Sequence, residues 1–342
     1  MKLFPLVRPP QYPLPCALLL LALGGVGAFA ATVEGNALKT FTVTPGGRLV
    51  VDSDRGSIEV TSGKGTEVRV EVFRKSTALT ESRAQEALDE HTLTLDQDGN
   101  TVTVRGRGKR QGFNWSLWSS DHRRFEVRYV ISVPEKFDVD LKTGGGGITV
   151  SDLTGDVRLR TSGGGLRIGR IRGPVDAHTS GGSIHLAGCQ GRARIETSGG
   201  GIEIGEGEGT VSADTSGGSI HIKAYKGDVT AHTSGGGITV EQALGNIDAS
   251  TSGGSISAVL AAQPTGDCRL ATSGGGITVK VLESAALNID AETSGGGVHT
   301  DLPVTTTIIG QQRHNVLKGK LNSGGKELVL RTSGGSIHLE RL

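Results

Sequence analysis

Aromatic side chains make up only 4% of the chain, with two tryptophans and three tyrosines in 342 residues. A core built on large rings is thereby excluded, and apolar burial has to come from aliphatic side chains. Charge of one sign is also missing: 36 basic residues stand against 35 acidic ones, and without Lys2 and Arg8 the balance is 34 to 35, a formal charge of −1. No global field selects nucleic acid or a membrane surface as a partner. Long apolar runs are absent after residue 31, so no later segment spans a bilayer as a helix. The three cysteines are Cys16, Cys189 and Cys268, too few for a disulfide scaffold.

The one short apolar run, Ala17 to Leu23, follows Lys2 and Arg8 and precedes Ala28, Phe29 and Ala30. That order of charge, apolar core and A-x-A is a secretory signal, so residues 1–30 are expected to be removed and the mature chain to start near Ala31. Cys16 lies ahead of the apolar core and is badly placed for lipid attachment. The expected location is periplasmic or extracellular, at the cell surface.

Glycine is what the chain has in excess, 55 residues, and it comes in a pattern. A threonine opens a "TSGG" or "TGGG" step at Thr143, Thr161, Thr179, Thr197, Thr215, Thr233, Thr251, Thr272, Thr293 and Thr332. The first six intervals are all 18 residues, and the next are 21, 21 and 39. A fixed period of this size means one supersecondary unit stacked on copies of itself. Before each threonine, apolar or small residues alternate, as in Val175 and Ala177 or Val211 and Ala213. After the glycines the alternation resumes, as in Ile184 and Leu186 or Ile220 and Ile222. Period two means strands with one buried face. A helix is excluded, since each glycine costs about 1 kcal/mol there.

The expected fold is an all-β parallel solenoid of about ten 18-residue coils. It should wind to the right, as parallel crossovers do. Bends are expected at Gly163, Gly181, Gly199, Gly217, Gly235 and Gly253, with the "SGG" step supplying positive φ. A second corner is expected at Gly173, Gly191, Gly227 and Gly245. At about 4.8 Å per coil the rod is near 50 Å long. Cys189 and Cys268 lie four repeats apart, far beyond disulfide reach, and read as buried free thiols. The fourth position past the threonine alternates Gly165, Ser183, Gly201, Ser219, Gly237, Ser255, which doubles the period to 36.

Residues 31–140 are expected to cap the coils of 141–302, with 303–342 as an irregular C-terminal cap and last coil. "GGRLVVDSDRGSIEVTSGKG" is a worn copy of the unit. "TESRAQEALDEH" has helical spacing, with Thr80 as N-cap and Ala84, Ala87 and Leu88 on one face, giving a short helix near 80–91. These features, with "FTVTPGGRLVVDSDRGSIEV", "LTLDQDGNTVTV", "VRYVISVPEKFDVDLKTGGGGITV" and the 18-residue ladder, resemble the bacterial adhesin-like family of exported β-strand-repeat proteins. The resemblance covers nearly the whole mature chain. It implies a β-solenoid and an adhesin-like role in a domain of unknown function, and it carries over no catalytic residues.

Three candidate sites follow from the outward positions. His178, His185, His221, His232, His299 and His338 form a row, but coils two apart are about 10 Å apart, too far for one ion whose ligands lie ~2 Å away. No metal or other cofactor is implied. Glu196 and Asp214 occupy one outward slot on adjacent coils, roughly 5 Å apart in backbone, near the carboxyl separation of a retaining glycosidase. Tyr225 is the only aromatic after Thr143, which leaves a bound sugar no stacking platform. The segment Arg105, Arg107, Lys109, Arg110, Phe113, Trp115, Trp118, Arg123 and Arg124 gathers both tryptophans among cations, the residue types that dominate recognition surfaces; its alternative role is to plug the solenoid's open end. The sequence thus reads as a noncatalytic exported solenoid, an adhesin-like binding or structural protein of the cell envelope whose long flat faces act as a spacer or as a docking surface for an envelope protein or glycan. The alternatives are a polysaccharide-active enzyme using Glu196 and Asp214, and a solenoid that polymerises end to end.

Overall fold

A computed structural model describes residues 31–108, 124–306 and 314–342. The chain is a β-solenoid: two sheets of fifteen strands each run the length of the stack, and every coil contributes one strand to each sheet before the chain climbs to the next. Through the repeats the pairing is parallel and in register, with Thr161 beside Thr179, Thr179 beside Thr197 and Thr197 beside Thr215.

The strand before each bend shows why. In Val175–Thr179 and Val211–Thr215, residues one, three and five are buried and the two between are half-exposed. The fifth residue is the threonine, and burial suits it because its hydroxyl is used. Thr179 Oγ1 donates to the Gly164 carbonyl at 2.7 Å, Thr197 to Gly182 at 2.7 Å, and Thr215 to Gly200 at 2.8 Å. Each threonine therefore ties its coil to the bend of the coil before it. The strand after the bend buries Ile184 and Leu186, Ile202 and Ile204, and Ile220 and Ile222, all within 2% of full burial. Aliphatic columns thus form the core, as the scarcity of rings requires.

The reason for the glycines differs from the sequence expectation. None of Gly163, Gly181, Gly199, Gly217, Gly235 and Gly253 has positive φ; that conformation belongs to the opposite corner, at Gly155, Gly173, Gly191, Gly209 and Gly227, where φ lies between 116° and 148°. The "SGG" bend needs glycine because successive bends stack backbone on backbone. A Cβ on Gly217 would lie 3.1 Å from the Gly199 carbonyl oxygen, and one on its neighbour Gly218 would collide outright with the Gly200 carbonyl. The bend is a crowding constraint between coils and not a torsional one within a coil.

A third column runs inside the strand after the bend, with Ile171 beside Cys189, Cys189 beside Gly207 and Gly207 beside Tyr225. The Tyr225 ring is 1% exposed and lies where a Cβ on Gly207 would be. Gly207 is therefore empty so that one ring can fill two coils, and Cys189 is the small residue that ends the ring's reach. Both Cys189 and Cys268 are buried free thiols. Burial pushes the Cys189 thiol up to about 11, and it raises Cys268 as well.

The coils do not stack in chain order at either end. The first coil, Gly47–Ser53 and Ser57–Gly63, lies between the strands Thr101–Arg107 and Arg124–Pro134 on one side and Phe137–Thr143 and Ile148–Val150 on the other. The last coil, Lys326–Thr332 and Ile337–Arg341, lies between Cys268–Thr272 with Ile277–Val281 and Leu287–Thr293 with Val298–Thr300. Outside these, antiparallel strands close the stack: Ala31–Thr42 on Glu67–Ala78 at the N-terminal end, and Val316–Leu321 on Leu287–Thr293 at the other. The helix Glu81–Asp89 forms where its pattern predicts. Thr80 Oγ1 accepts from the Arg83 amide, and Ala84 and Leu88 are buried. Leu88 packs over Gly35, where a Cβ would be 2.7 Å from its Cδ2.

Candidate functional site: the outward rows of the coils

Outward side chains stand on a lattice fixed by the coil spacing. In one row, the residue before each threonine, His178 pairs with Glu196, Glu196 with Asp214, Asp214 with His232 and His232 with Ser250. Glu196 and Asp214 are thus cross-strand neighbours, as the repeat predicts. They are not free. Arg194 Nη2 is 2.5 Å from Glu196, His178 Nδ1 is 3.5 Å from it, and Ser212 donates to Asp214 at 2.9 Å. The Glu196 hydrogen bond in turn raises the Arg194 pKa above its ordinary value.

The outward histidines are likewise taken singly by neighbours one coil on. His185 Nδ1 lies 3.1 Å from Glu203, His221 Nε2 lies 2.9 Å from Glu241, and His232 Nδ1 is 2.7 Å from Ser250 Oγ. His299 and His338 stack on each other with ring centroids 5.1 Å apart. Among the described residues no group of three metal-ligating side chains comes together.

Of the aromatic basic segment, Lys109, Arg110, Phe113, Trp115, Trp118 and Arg123 lie outside the described residues. Arg105, within the strand Thr101–Arg107, and Arg124, at the start of Arg124–Pro134, are exposed. Arg107 is committed to the fold: it bonds the carboxylates of Asp52 and Asp54, the latter at 3.0 Å, and this pairing raises its pKa.

Two concave surfaces were not legible in the repeat. One lies on the corner face around Gly188, an open hollow of about 560 Å³ flanked by Arg170, Arg172, Glu206 and Glu208. Its sequence signal is Gly188 itself, a missing side chain in an outward row. The other follows the foot of the row before the threonines. A hollow of about 460 Å³ extends from His178 to Ser252, and a second of about 340 Å³ from Thr233 to Ser333; they share Thr233, Ser250 and Ser252. They are two parts of one shallow groove along the stack.

Stacked parallel coils, a mainly aliphatic interior and outward rows of paired polar side chains define a β-strand-repeat domain of the solenoid class. The chain belongs to the Toastrack DUF4097 family, which it matches over residues 47–340. This is the adhesin-like group that the repeat resembles. No curated protein matches the chain. Among solved structures it is similar to a candidate cell adhesion protein from Clostridium sporogenes, at 11% identity, 90% of this chain and 100% of that one, TM-score 0.22. It is also similar to a candidate adhesin from Bacteroides fragilis, at 10% identity, 90% and 97% coverage, TM-score 0.31. A third, a candidate lipid binding protein from Parabacteroides distasonis, matches at 10% identity, 90% and 96% coverage, TM-score 0.33. At these identities and scores the likeness carries no argument about ligands. No helix among the described residues is long and apolar enough to cross a membrane.

Proposed function

We propose that the protein is a noncatalytic, exported binding scaffold of the cell envelope, a rigid rod that presents flat polar faces to an envelope glycan or protein. The supporting observation is the state of the outward carboxylates. Glu196, the best-placed candidate acid, is held by Arg194 at 2.5 Å and by His178 at 3.5 Å, so the surface is self-neutralised rather than poised for chemistry. A solenoid's long face is suited to extended partners, because it repeats one surface many times over.

The test is sedimentation of the purified protein with isolated cell-envelope fragments, together with assay of the same fragments for released saccharides. Co-sedimentation without release is expected, and it should persist in Glu196→Gln/Asp214→Asn. A protein that stays in the supernatant would refute the scaffold. Saccharide release that disappears in the folded double variant would establish the enzyme instead.

A further inference from the structure

At the hollow around Gly188 the outward rows fail to neutralise themselves. Two rows cross it in register: one runs Arg170, Gly188, Glu206, and the other Arg172, Gln190, Glu208, Lys226. Opposite charges on adjacent coils stand one strand spacing apart, about 4.8 Å, and meet readily. Here an uncharged residue separates them. Gly188 lies between Arg170 and Glu206, and Gln190 between Arg172 and Glu208, a gap of about 10 Å. The glutamates turn instead to lysines of the coil beyond, Glu206 to Lys223 at 3.0 Å and Glu208 to Lys226 at 3.2 Å. Arg170 reaches Glu206 only as a charge across the hollow. On its other side Asp152 Oδ1 accepts from the Arg170 backbone amide at 2.8 Å. Among the described residues, therefore, the guanidinium groups of Arg170 and Arg172 make no hydrogen bond or ion pair, and both side chains are exposed. They leave one face of the same strand, Leu166–Arg172, so two uncompensated cations stand side by side with about 7 Å between their Cα atoms.

The second observation is the space beside them. Gly188 lacks a side chain, and the hollow above it, about 560 Å³, has the buried Ile171 and Cys189 beneath it and Gln190 and Thr154 along it. The side chains of Gln190 and Thr154 also have no partner among the described residues. Such a volume is that of a small-ligand site. Two neighbouring guanidinium groups suit a carboxylate or a phosphate, which they bond in bidentate fashion. Glu135, Asp152, Glu206 and Glu208 border the same space and repel a polyanion. The charge must then be isolated on an otherwise neutral ligand rich in hydrogen-bonding groups. No aromatic ring in the lining offers a base a stacking platform. We infer that this hollow binds the anionic group of an acidic saccharide, a carboxylate or a phosphate ester held by Arg170 and Arg172, with sugar hydroxyls bonded to Gln190, Thr154 and the bordering carboxylates. The site stands on this geometry, and the envelope glycan as its source rests on the binding-scaffold reading above.

The experiment titrates the full protein by calorimetry with glucuronate and a glucose phosphate monoester as anionic probes. Glucose is the neutral counterpart, and N-acetylaspartate amide carries the carboxylate on a peptide unit. At least one anionic sugar is expected to bind, the tighter of the two identifying the oxyanion that the site takes. Glucose and the aspartate probe should each be about ten-fold weaker or more, since each lacks one half of the hydrogen-bonding set. Arg170→Gln/Arg172→Gln removes both charges. Gln190→Glu keeps both arginines but sets a carboxylate beside Arg172, as Glu208 stands beside Lys226. Both variants should lose about ten-fold in affinity for the anionic sugar. Arg269→Gln, at a residue exposed and equally unpaired on the opposite sheet, should leave it unchanged. All three should melt as the wild type does. Unaltered affinity in the arginine double variant, an equal loss in Arg269→Gln, glucose or the aspartate probe bound as tightly as the anionic sugars, or no binding of either anionic sugar would overturn the assignment. Co-sedimentation with envelope fragments separates the two readings. If the anionic sugars do not bind while the wild type and the double variant co-sediment equally, the hollow fails and the scaffold stands; if the sugars bind and neither protein co-sediments, the anion site stands and the scaffold falls.

Discussion

Each glycine of the "SGG" step has its own duty, and single substitutions separate them. Gly218 sits where any Cβ strikes the Gly200 carbonyl, while Gly217 has 3.1 Å to the Gly199 oxygen and is exposed. Gly218→Ala is expected to cost about 2–4 kcal/mol, the range of an overpacked backbone contact, and Gly217→Ala less than about 1 kcal/mol; chemical denaturation measures both. Equal costs would restore a torsional explanation. His91 is a residue of a different kind. Its ring is 4% exposed, tilts against Phe125 at 5.2 Å, and has no partner for either nitrogen. Burial, with Arg74 and Arg55 adding to it and Asp54 opposing, lowers its pKa from 6.5 to about 4. The folded state thus holds the neutral ring while the unfolded chain takes up a proton between those values. Stability from this group is complete above pH 6.5 and is lost as pH falls toward 4, by an amount on the order of 1–3 kcal/mol. His91→Phe should flatten that part of the stability–pH profile, as followed by thermal melting from pH 7 to 4. A profile unchanged by the substitution would show that the acid sensitivity lies elsewhere.

At the scale of the element, the column Cys189, Gly207, Tyr225 shows two adjacent coils sharing one ring, with Cys189 closing the column in the coil beyond. Tyr225→Ala should leave a cavity and cost ~3–5 kcal/mol. Gly207→Leu alone should be destabilising, because it competes with the ring for the same space. The double variant Gly207→Leu/Tyr225→Ala should recover part of the loss, a coupling that a double-mutant cycle reads directly. Strict additivity would mean that the two coils pack independently. The helix Glu81–Asp89 behaves in the opposite way: its cap at Thr80 and its buried Ala84 and Leu88 follow from local spacing alone.

For the whole molecule, stacking order matters more than chain order. The coil Lys326–Thr332 with Ile337–Arg341 is the last in the chain yet has a neighbour on both sides, and Arg331 holds Asp290 of the outer coil at 2.5 Å. Burial is the largest single influence on Asp290 and raises its pKa, but the bonds and charges of Arg331 and Lys318 together exceed it and leave the pKa below its ordinary value. A repeat array normally tolerates loss of a terminal unit, because only one interface goes with it. Here, deletion of residues 326–342 removes two. Hydrogen exchange is expected to show lost protection in Leu287–Thr293 as well as in the neighbouring Cys268–Thr272, with melting lowered by several degrees. Protection retained in Leu287–Thr293 would contradict the intercalated order.

The architecture was legible because the physics that sets it is local and repeated. Period-two alternation within an 18-residue unit admits only short strands with one buried face, and identical units bury that face only by stacking. The register of Glu196 beside Asp214 and the inward phase of the threonines follow from the same count. What the count omits is anything that one coil does to another. The sequence displays each turn alone and so suggests positive φ at the glycine bends, whereas the crowding there comes from the carbonyl of the neighbouring coil. The intercalated end coils, the two-coil span of Tyr225, the orphaned ring of His91 and the continuous groove were decided only by tertiary structure, since each depends on residues brought side by side from different turns of the stack.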